Sequence, residues 1–399
     1  MNTEHAICAP LARATRRRGA FGLSLAFALF AASGLRALDA TPEAPAPTAS
    51  PTAMATPTTL HWTGFVQDWS VLGEASGNMA HSYREAGNYV KHFQLGVTAD
   101  AYPGVKLVML SELAGQSVTG TGAAFGATYG MTLLNAYATV DLSKFTGAVA
   151  LPLTLTAGQF KTHFGLNRMY RPDQLTLVDY STIYNTAGGV MGTSTYWDDG
   201  MMLAWQDADL IEADAAWVNG QGPDLLAASK TVLGQPDQDF VANVTLTPAK
   251  TLKLGASLLY GEVFSTPGVV GFPNKPKTFT DEYARYALPG KSFAAELEFI
   301  NRSGSGNVTL PATITDGADR NGFTVTLSQY LCDPLQLVFG YDQVTVYGNH
   351  SLDSARYLGG LSWWPGGTLR FSLEQEASAV GVSSRPSYSS TILQTQLGF

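Results

Sequence analysis

From Leu60 to the end, the chain alternates apolar and polar positions in short runs. That period of two belongs to strands with one face in oil and the other in water. In Tyr89–Tyr102, for example, Phe93, Leu95, Val97 and Ala99 share one face, against His92, Gln94, Thr98 and Asp100 on the other. The pattern predicts strands over Trp62–Leu72, Tyr89–Tyr102, Val105–Gly115, Met131–Leu142, Leu151–Phe160, Gly200–Gln206, Leu210–Asn219 and Phe240–Thr247. It continues over Leu252–Gly261, Phe279–Leu288, Ser292–Asn301, Gly322–Leu331, Leu335–Val346, Ser354–Trp364, Thr368–Ala377 and Ser390–Phe399. Their connections are in strict turn long and short, the short ones carrying turn residues such as Pro103-Gly104, Pro289-Gly290 and Pro365-Gly366-Gly367. Sixteen strands of about 9 to 11 residues each are the length and parity of a transmembrane antiparallel β-barrel; fourteen and eighteen stay open.

One connection breaks the rhythm. Residues 162 to 198 are far longer than the usual 4 to 6 residues or so. They carry Phe164, Leu166, Met169, Tyr170, Leu175, Leu177, Val178, Tyr180, Ile183 and Tyr184, too apolar for a solvated excursion. Such a loop needs an enclosed place to pack, and a wide barrel lumen supplies one. The expectation is an all-β barrel whose long third loop folds inward as a constriction, with a course across the mouth as the alternative.

Composition narrows the setting. No apolar run reaches the ~18 residues of a spanning helix. Residues 1–38 read as a secretory signal, with Arg13, Arg16, Arg17 and Arg18 before the apolar Phe21–Ala32 and then small residues. Gly19 and Ala20 follow the arginines where a twin-arginine signal wants a bulky apolar residue, so the general secretory route is expected. Residues 39–59, rich in Pro, Ala and Thr, read as a flexible leader, and 60–399 as the barrel. Cys8 leaves with the signal, and Cys332 alone allows no intrachain disulfide. Five of the 24 basic and three of the 32 acidic residues precede position 60, leaving the barrel at about −10. That excess argues against a nucleic-acid partner.

The ending Thr391-Ile392-Leu393-Gln394-Thr395-Gln396-Leu397-Gly398-Phe399 resembles the assembly signal of bacterial outer-membrane barrels, with Phe399 its terminal aromatic. Gly158-Gln159-Phe160-Lys161, then Phe164-Gly165-Leu166, Leu175-Thr176-Leu177-Val178-Asp179, Asp199-Gly200 and Asn219-Gly220 resemble the phosphate-selective porin O/P family. The resemblance implies a sixteen-stranded outer-membrane porin in a Gram-negative envelope, assembled as a homotrimer in lipid. It also implies a C-terminal strand read by the barrel-assembly machinery, and a passive channel for small hydrophilic solutes and ions, phosphate or other anions among them.

The charges depart from that family, whose phosphate-taking members line the path with arginines and lysines. Alternation puts Lys106, Lys253, Arg285, Arg356 and Arg370 on the lumen face, against Asp100, Glu112, Glu212, Asp214, Glu296, Glu298, Asp342, Glu374 and Glu376. The count favours a general or cation-preferring pore. Arg168, Arg171, Asp173 and Asp179 are the expected pore constriction, where mixed charge sets up a transverse field. Their bland reading is ordinary ion-paired loop charge. Arg285, Arg356, Arg370, Glu296 and Glu374 are the expected lumen wall, the arginines facing the loop or pairing with the glutamates. Lys91 falls on the lipid face beside Tyr89, where it can snorkel, and His92 on the lumen face as a structural histidine. No catalytic Ser/His/Asp signature and no metal-spaced Cys/His cluster is visible, so neither enzyme activity nor a cofactor or metal is expected. The alternative is a barrel with a filled lumen acting as an enzyme or adhesin.

Overall fold

The computed structural model describes residues 59–74, 87–115, 131–146, 152–184, 190, 197–207, 209–219, 238–262, 276–303, 319–347, 350, 353–380 and 388–399. The signal over 1–38 and nearly all of the leader over 39–59 lie outside these residues.

The strands are β1 (Thr59–Glu74), β2 (Gly87–Tyr102), β3 (Val105–Gly115), β4 (Thr132–Asp141), β5 (Leu153–Lys161), β6 (Trp197–Asp207), β7 (Ile211–Val218) and β8 (Asp239–Ala249). They continue as β9 (Leu252–Glu262), β10 (Pro276–Ala287), β11 (Phe293–Ser303), β12 (Arg320–Cys332), β13 (Leu335–Val346), β14 (Ser354–Gly366), β15 (Leu369–Val380) and β16 (Tyr388–Gly398). Each pairs antiparallel with its sequence neighbours, and β1 pairs with β16, so the sheet closes without an edge. Closure is what lets strands satisfy every backbone amide in hydrocarbon. The expected fold class and strand number both hold. The structure departs from expectation at one short turn, between β4 and β5, where a helical turn, α1 (Leu142–Thr146), stands.

The end of the chain completes the seam. Phe399 and Gly64 exchange both backbone hydrogen bonds at 2.9 Å. A Cβ on Gly64 would come within 2.5 Å of the Phe399 ring, so glycine is what lets the terminal aromatic lie flat on β1.

Outward positions carry exposed Leu254, Leu297, Phe299, Phe323, Phe339, Leu361, Leu373 and Leu393, a continuous apolar belt. Outward aromatics also meet one another across strands, with Tyr341 and Tyr357 centred 5.1 Å apart and Trp363 stacked on Phe371 at 5.6 Å. Inward positions are polar at mid-strand: Thr324, Asp342, Arg356, Ser362, Arg370 and Glu374 are all buried.

Strict alternation fails in β2. Its register with β1 shifts between Gln67 and Asp68, so that Gln67 pairs with His92 while Trp69 pairs with Tyr89. That bulge turns Tyr89 inward, against the buried Trp69, Val71 and Ile392, and sets the Lys91 ammonium 4.7 Å over the Trp69 ring. Lys91 therefore does not lie on the lipid face. A bulge inserts one residue and reverses the parity beyond it, which a period-two reading cannot detect.

Candidate functional site: the infolded loop and the wall that holds it

The long connection leaves β5, runs through α2 (Leu166–Met169) and 3-10 turns at Pro172–Gln174 and Thr182–Tyr184, and returns to β6. Its described residues lie inside the barrel, as expected. Gly165 makes the first bend, with φ 76 and ψ 157, a region essentially confined to glycine. A Cβ there would run into the Tyr184 hydroxyl and would come within 2.7 Å of Glu298.

Inward-facing side chains of the strands then take up the loop's backbone groups in sequence. Gly165 N–H donates to Ser257 Oγ on β9 at 3.0 Å, and Leu166 N–H and the Asn167 amide donate to the Glu298 carboxylate on β11 at 2.5 and 2.7 Å. Gln67 on β1 donates to the Pro172 carbonyl and Gln396 on β16 to the Asp173 carbonyl, each at 3.2 Å. On β15, Arg370 donates to the carbonyls of Leu175 (2.7 Å) and Thr176 (2.6 Å), and Glu374 accepts from Val178 N–H at 2.9 Å. On β14, Arg356 donates to the Tyr180 carbonyl at 2.9 Å. On β13, Asp342 accepts from Ser181 Oγ (2.8 Å), Thr182 N–H (3.0 Å) and Thr324 Oγ1 (2.6 Å), and pairs with Arg356 at 2.5 Å. The described loop thus follows the inner wall from β16 back to β13, each of these backbone groups bonded to a wall side chain.

Apolar contacts fill the spaces between these bonds. Phe164, Ile183, Tyr184 and Val190 pack into a cluster with Val241, Leu259, Phe279, Ile300 and Val344. Leu177 packs on Val338 and Leu358, and Val178 on Trp69, Val71 and Ile392. Close approach needs glycine at two wall positions: a Cβ on Gly322 would stand 2.6 Å from Ile183 and Val190, and one on Gly340 2.8 Å from Leu177. Each fully buried side chain of this size contributes about 1.5–3 kcal/mol. Tyr184 donates its hydroxyl to Glu298. Burial, followed by the charges of Glu298 and Asp281, raises the Tyr184 hydroxyl well above its ordinary range, so it stays a donor.

At the root of the loop, Lys161 donates to the Tyr170 carbonyl at 2.5 Å, with its ammonium 5.3 Å from the Tyr180 ring centre and 5.5 Å from that of Trp197. His163 pairs with Asp214 on β7 at 3.0 Å. Burial pulls the His163 imidazole down, but the hydrogen bond and charge of Asp214 outweigh it and raise its pKa.

Of the expected constriction residues, Arg171 and Asp173 form a bidentate pair (3.0 and 2.6 Å) that stays partly exposed, with Arg171 also 5.9 Å from the Phe65 ring centre. Asp179 is half-buried and accepts from the backbone N–H of Tyr180 at 2.9 Å. Arg168 departs from the expectation. Its side chain is fully buried, so it does not line an open passage.

The expected wall residues do face inward, though they do different things. Arg285 pairs with Glu296 at 3.0 Å. Arg356 and Arg370 are instead beneath the loop and directly bonded to it. Sequence reasoning missed Gln67, Gln396 and Lys161 as loop supports. Their only signal was a polar residue in a strand that the loop happens to cross.

No family sequence profile matches the chain, and no curated protein matches it. Solved structures share its fold. They include the outer membrane channel DcaP of Acinetobacter baumannii, at 13% identity and TM-score 0.59 over 86% of this chain and 97% of that one. An anion-selective porin from Comamonas acidovorans has 10% identity and TM-score 0.59, over 86% and 100%. Outer-membrane expressed OmpT of Vibrio cholerae has 14% identity and TM-score 0.55, over 86% and 98%.

Proposed function

We propose that this chain is an outer-membrane porin, a passive water-filled channel for small hydrophilic solutes and ions, narrowed by the loop between β5 and β6. The observation that carries the reading is the asymmetry of the lumen wall. The described part of the loop packs on the wall from β8 through β16 to β1, while inward charges on β2 and β3, such as Asp100 and Lys106, stay exposed. A wide barrel filled on one side only leaves an aqueous path on the other.

The net charge of the barrel, about −10, favours cations. Arg356 and Arg370 are committed to the loop, and Arg285 and Arg171 are paired with carboxylates. Asp214 pairs with His163 and Glu112 with His92, which leaves Lys106 and Lys253 against Asp100 and Glu212 inside a barrel of about −10 overall. Kinship with the phosphate-selective porin O/P family remains part of the proposal, with phosphate itself disfavoured by this count. So do the signal and leader, delivery to the outer membrane, trimeric assembly and a C-terminal strand read by the assembly machinery. The channel has no catalytic role.

Purified protein added to a planar bilayer is expected to give stepwise conductance, with a reversal potential of cation-preferring sign in a salt gradient. Absence of steps sinks the channel; a reversal potential of opposite sign keeps the channel and overturns its preference.

A further inference from the structure

We propose that a recess at the short-turn mouth of the lumen binds small zwitterionic solutes, amino acids foremost, by their ammonium and carboxylate ends together; this rests on the channel reading above. The recess has a volume of about 520 Å³ and is lined by Asp100, Lys106, Thr139, Asp141, Lys144 and Thr154 among others. These belong to β2, β3, β4, α1 and β5, in the sector the loop leaves uncovered.

Register sets the charges side by side. Asp100 is opposite Lys106, Lys106 opposite Thr139, and Asp141 opposite Thr154. Neighbouring strands are about 4.8 Å apart, so carboxylate and ammonium alternate at the scale of one amino acid. Neither acid is closed off. Asp100 stands 3.7 Å from His61 with 46% of its side chain exposed, and Asp141 stands 3.5 Å from Lys144 with 36% exposed. Ser143 fixes the Asp141 carboxylate through two bonds to one oxygen, at 3.1 and 2.5 Å, leaving the other oxygen toward Lys144. Lys106 is exposed and, among the described residues, has no ion pair or hydrogen bond.

With two carboxylates and two ammonium groups, the recess is electrically balanced. A simple anion or cation meets as much repulsion as attraction there. A solute carrying both charges a few ångströms apart can meet only opposite ones, which is discrimination by arrangement rather than net charge. The threonine hydroxyls donate and accept, and so serve either end.

The test is calorimetric titration of the full barrel in detergent with L-alanine, sodium acetate and glycerol. It is run on the parent protein, Lys106→Met, Asp100→Asn and, as a control in the turn between β8 and β9, Lys250→Met. L-alanine is expected to bind saturably and acetate and glycerol not to. Lys106→Met and Asp100→Asn should each weaken L-alanine at least tenfold, with Lys250→Met unchanged. Equal binding of alanine and acetate, or undiminished alanine binding in both recess variants, overturns the proposal. Liposome swelling separates the two readings. If glycerol does not permeate, the channel reading falls; if it permeates while L-alanine shows no saturable heat, only this inference falls.

Discussion

Two sectors of one lumen wall follow the same sequence rule and end in different chemistry. On β11 to β16 and β1, inward Glu298, Asp342, Arg356, Arg370 and Glu374 are dry, and each holds a backbone or hydroxyl group of the loop. On β2 and β3, inward Asp100 and Lys106 stay exposed. Polarity on an inward face therefore has two meanings. Under the loop, a charge that loses its partner is left without water; in the open sector, it is merely re-solvated.

The largest break is at Asp342. Removing one member of a buried pair leaves the other uncompensated, at about 3–5 kcal/mol. Asp342→Ala should lower the thermal midpoint of the detergent-purified barrel and raise single-channel conductance as Ser181 and Thr182 come free. An unchanged conductance would mean that the loop is held elsewhere.

Next is Gly165→Ala. The backbone angles there cost a Cβ-bearing residue of order 1–3 kcal/mol, and the methyl also displaces Tyr184. Limited proteolysis should cut the loop faster than in the parent, while strand content by circular dichroism stays the same.

In contrast, Arg171→Ala breaks a partly exposed pair and should cost under about 1 kcal/mol. Its effect belongs in selectivity: reversal potentials should move toward cations, and with Asp173→Ala the other way. Equal shifts of one sign in both would remove this pair from the filter.

The smallest effect is titration of His163. Its folded pKa is raised, so the bond to Asp214 contributes fully below the unfolded value of about 6.5 and is lost as pH rises through the folded value. The imidazole is 39% exposed, which screens the pair to under about 1 kcal/mol. The thermal midpoint of the parent should fall relative to His163→Ala as pH rises through that window. Parallel pH profiles would contradict the assignment.

Sequence carried the barrel because the strand period is local: Val105–Gly115 and Leu335–Val346 have the bounds read from alternation alone. It carried the inward course of the loop too, since Phe164, Leu177 and Ile183 needed something to pack against. It could not say where the loop would lie. Whether Arg370 faces water or grips the Leu175 carbonyl depends on a contact between residues far apart in the chain, which neither period nor composition records. The bulge that turned Tyr89 and Lys91 was hidden for a related reason, because one inserted residue leaves the apolar count of β2 unchanged.

The claim on which the rest depends is that the loop is pinned to one sector of the wall. Hydrogen exchange at the backbone amides of Leu166, Val178 and Thr182 tests it most directly, because these donate to Glu298, Glu374 and Asp342. All three should exchange as slowly as the strand amides of β13 and β15. Exchange at the rate of a solvated connection would contradict the account.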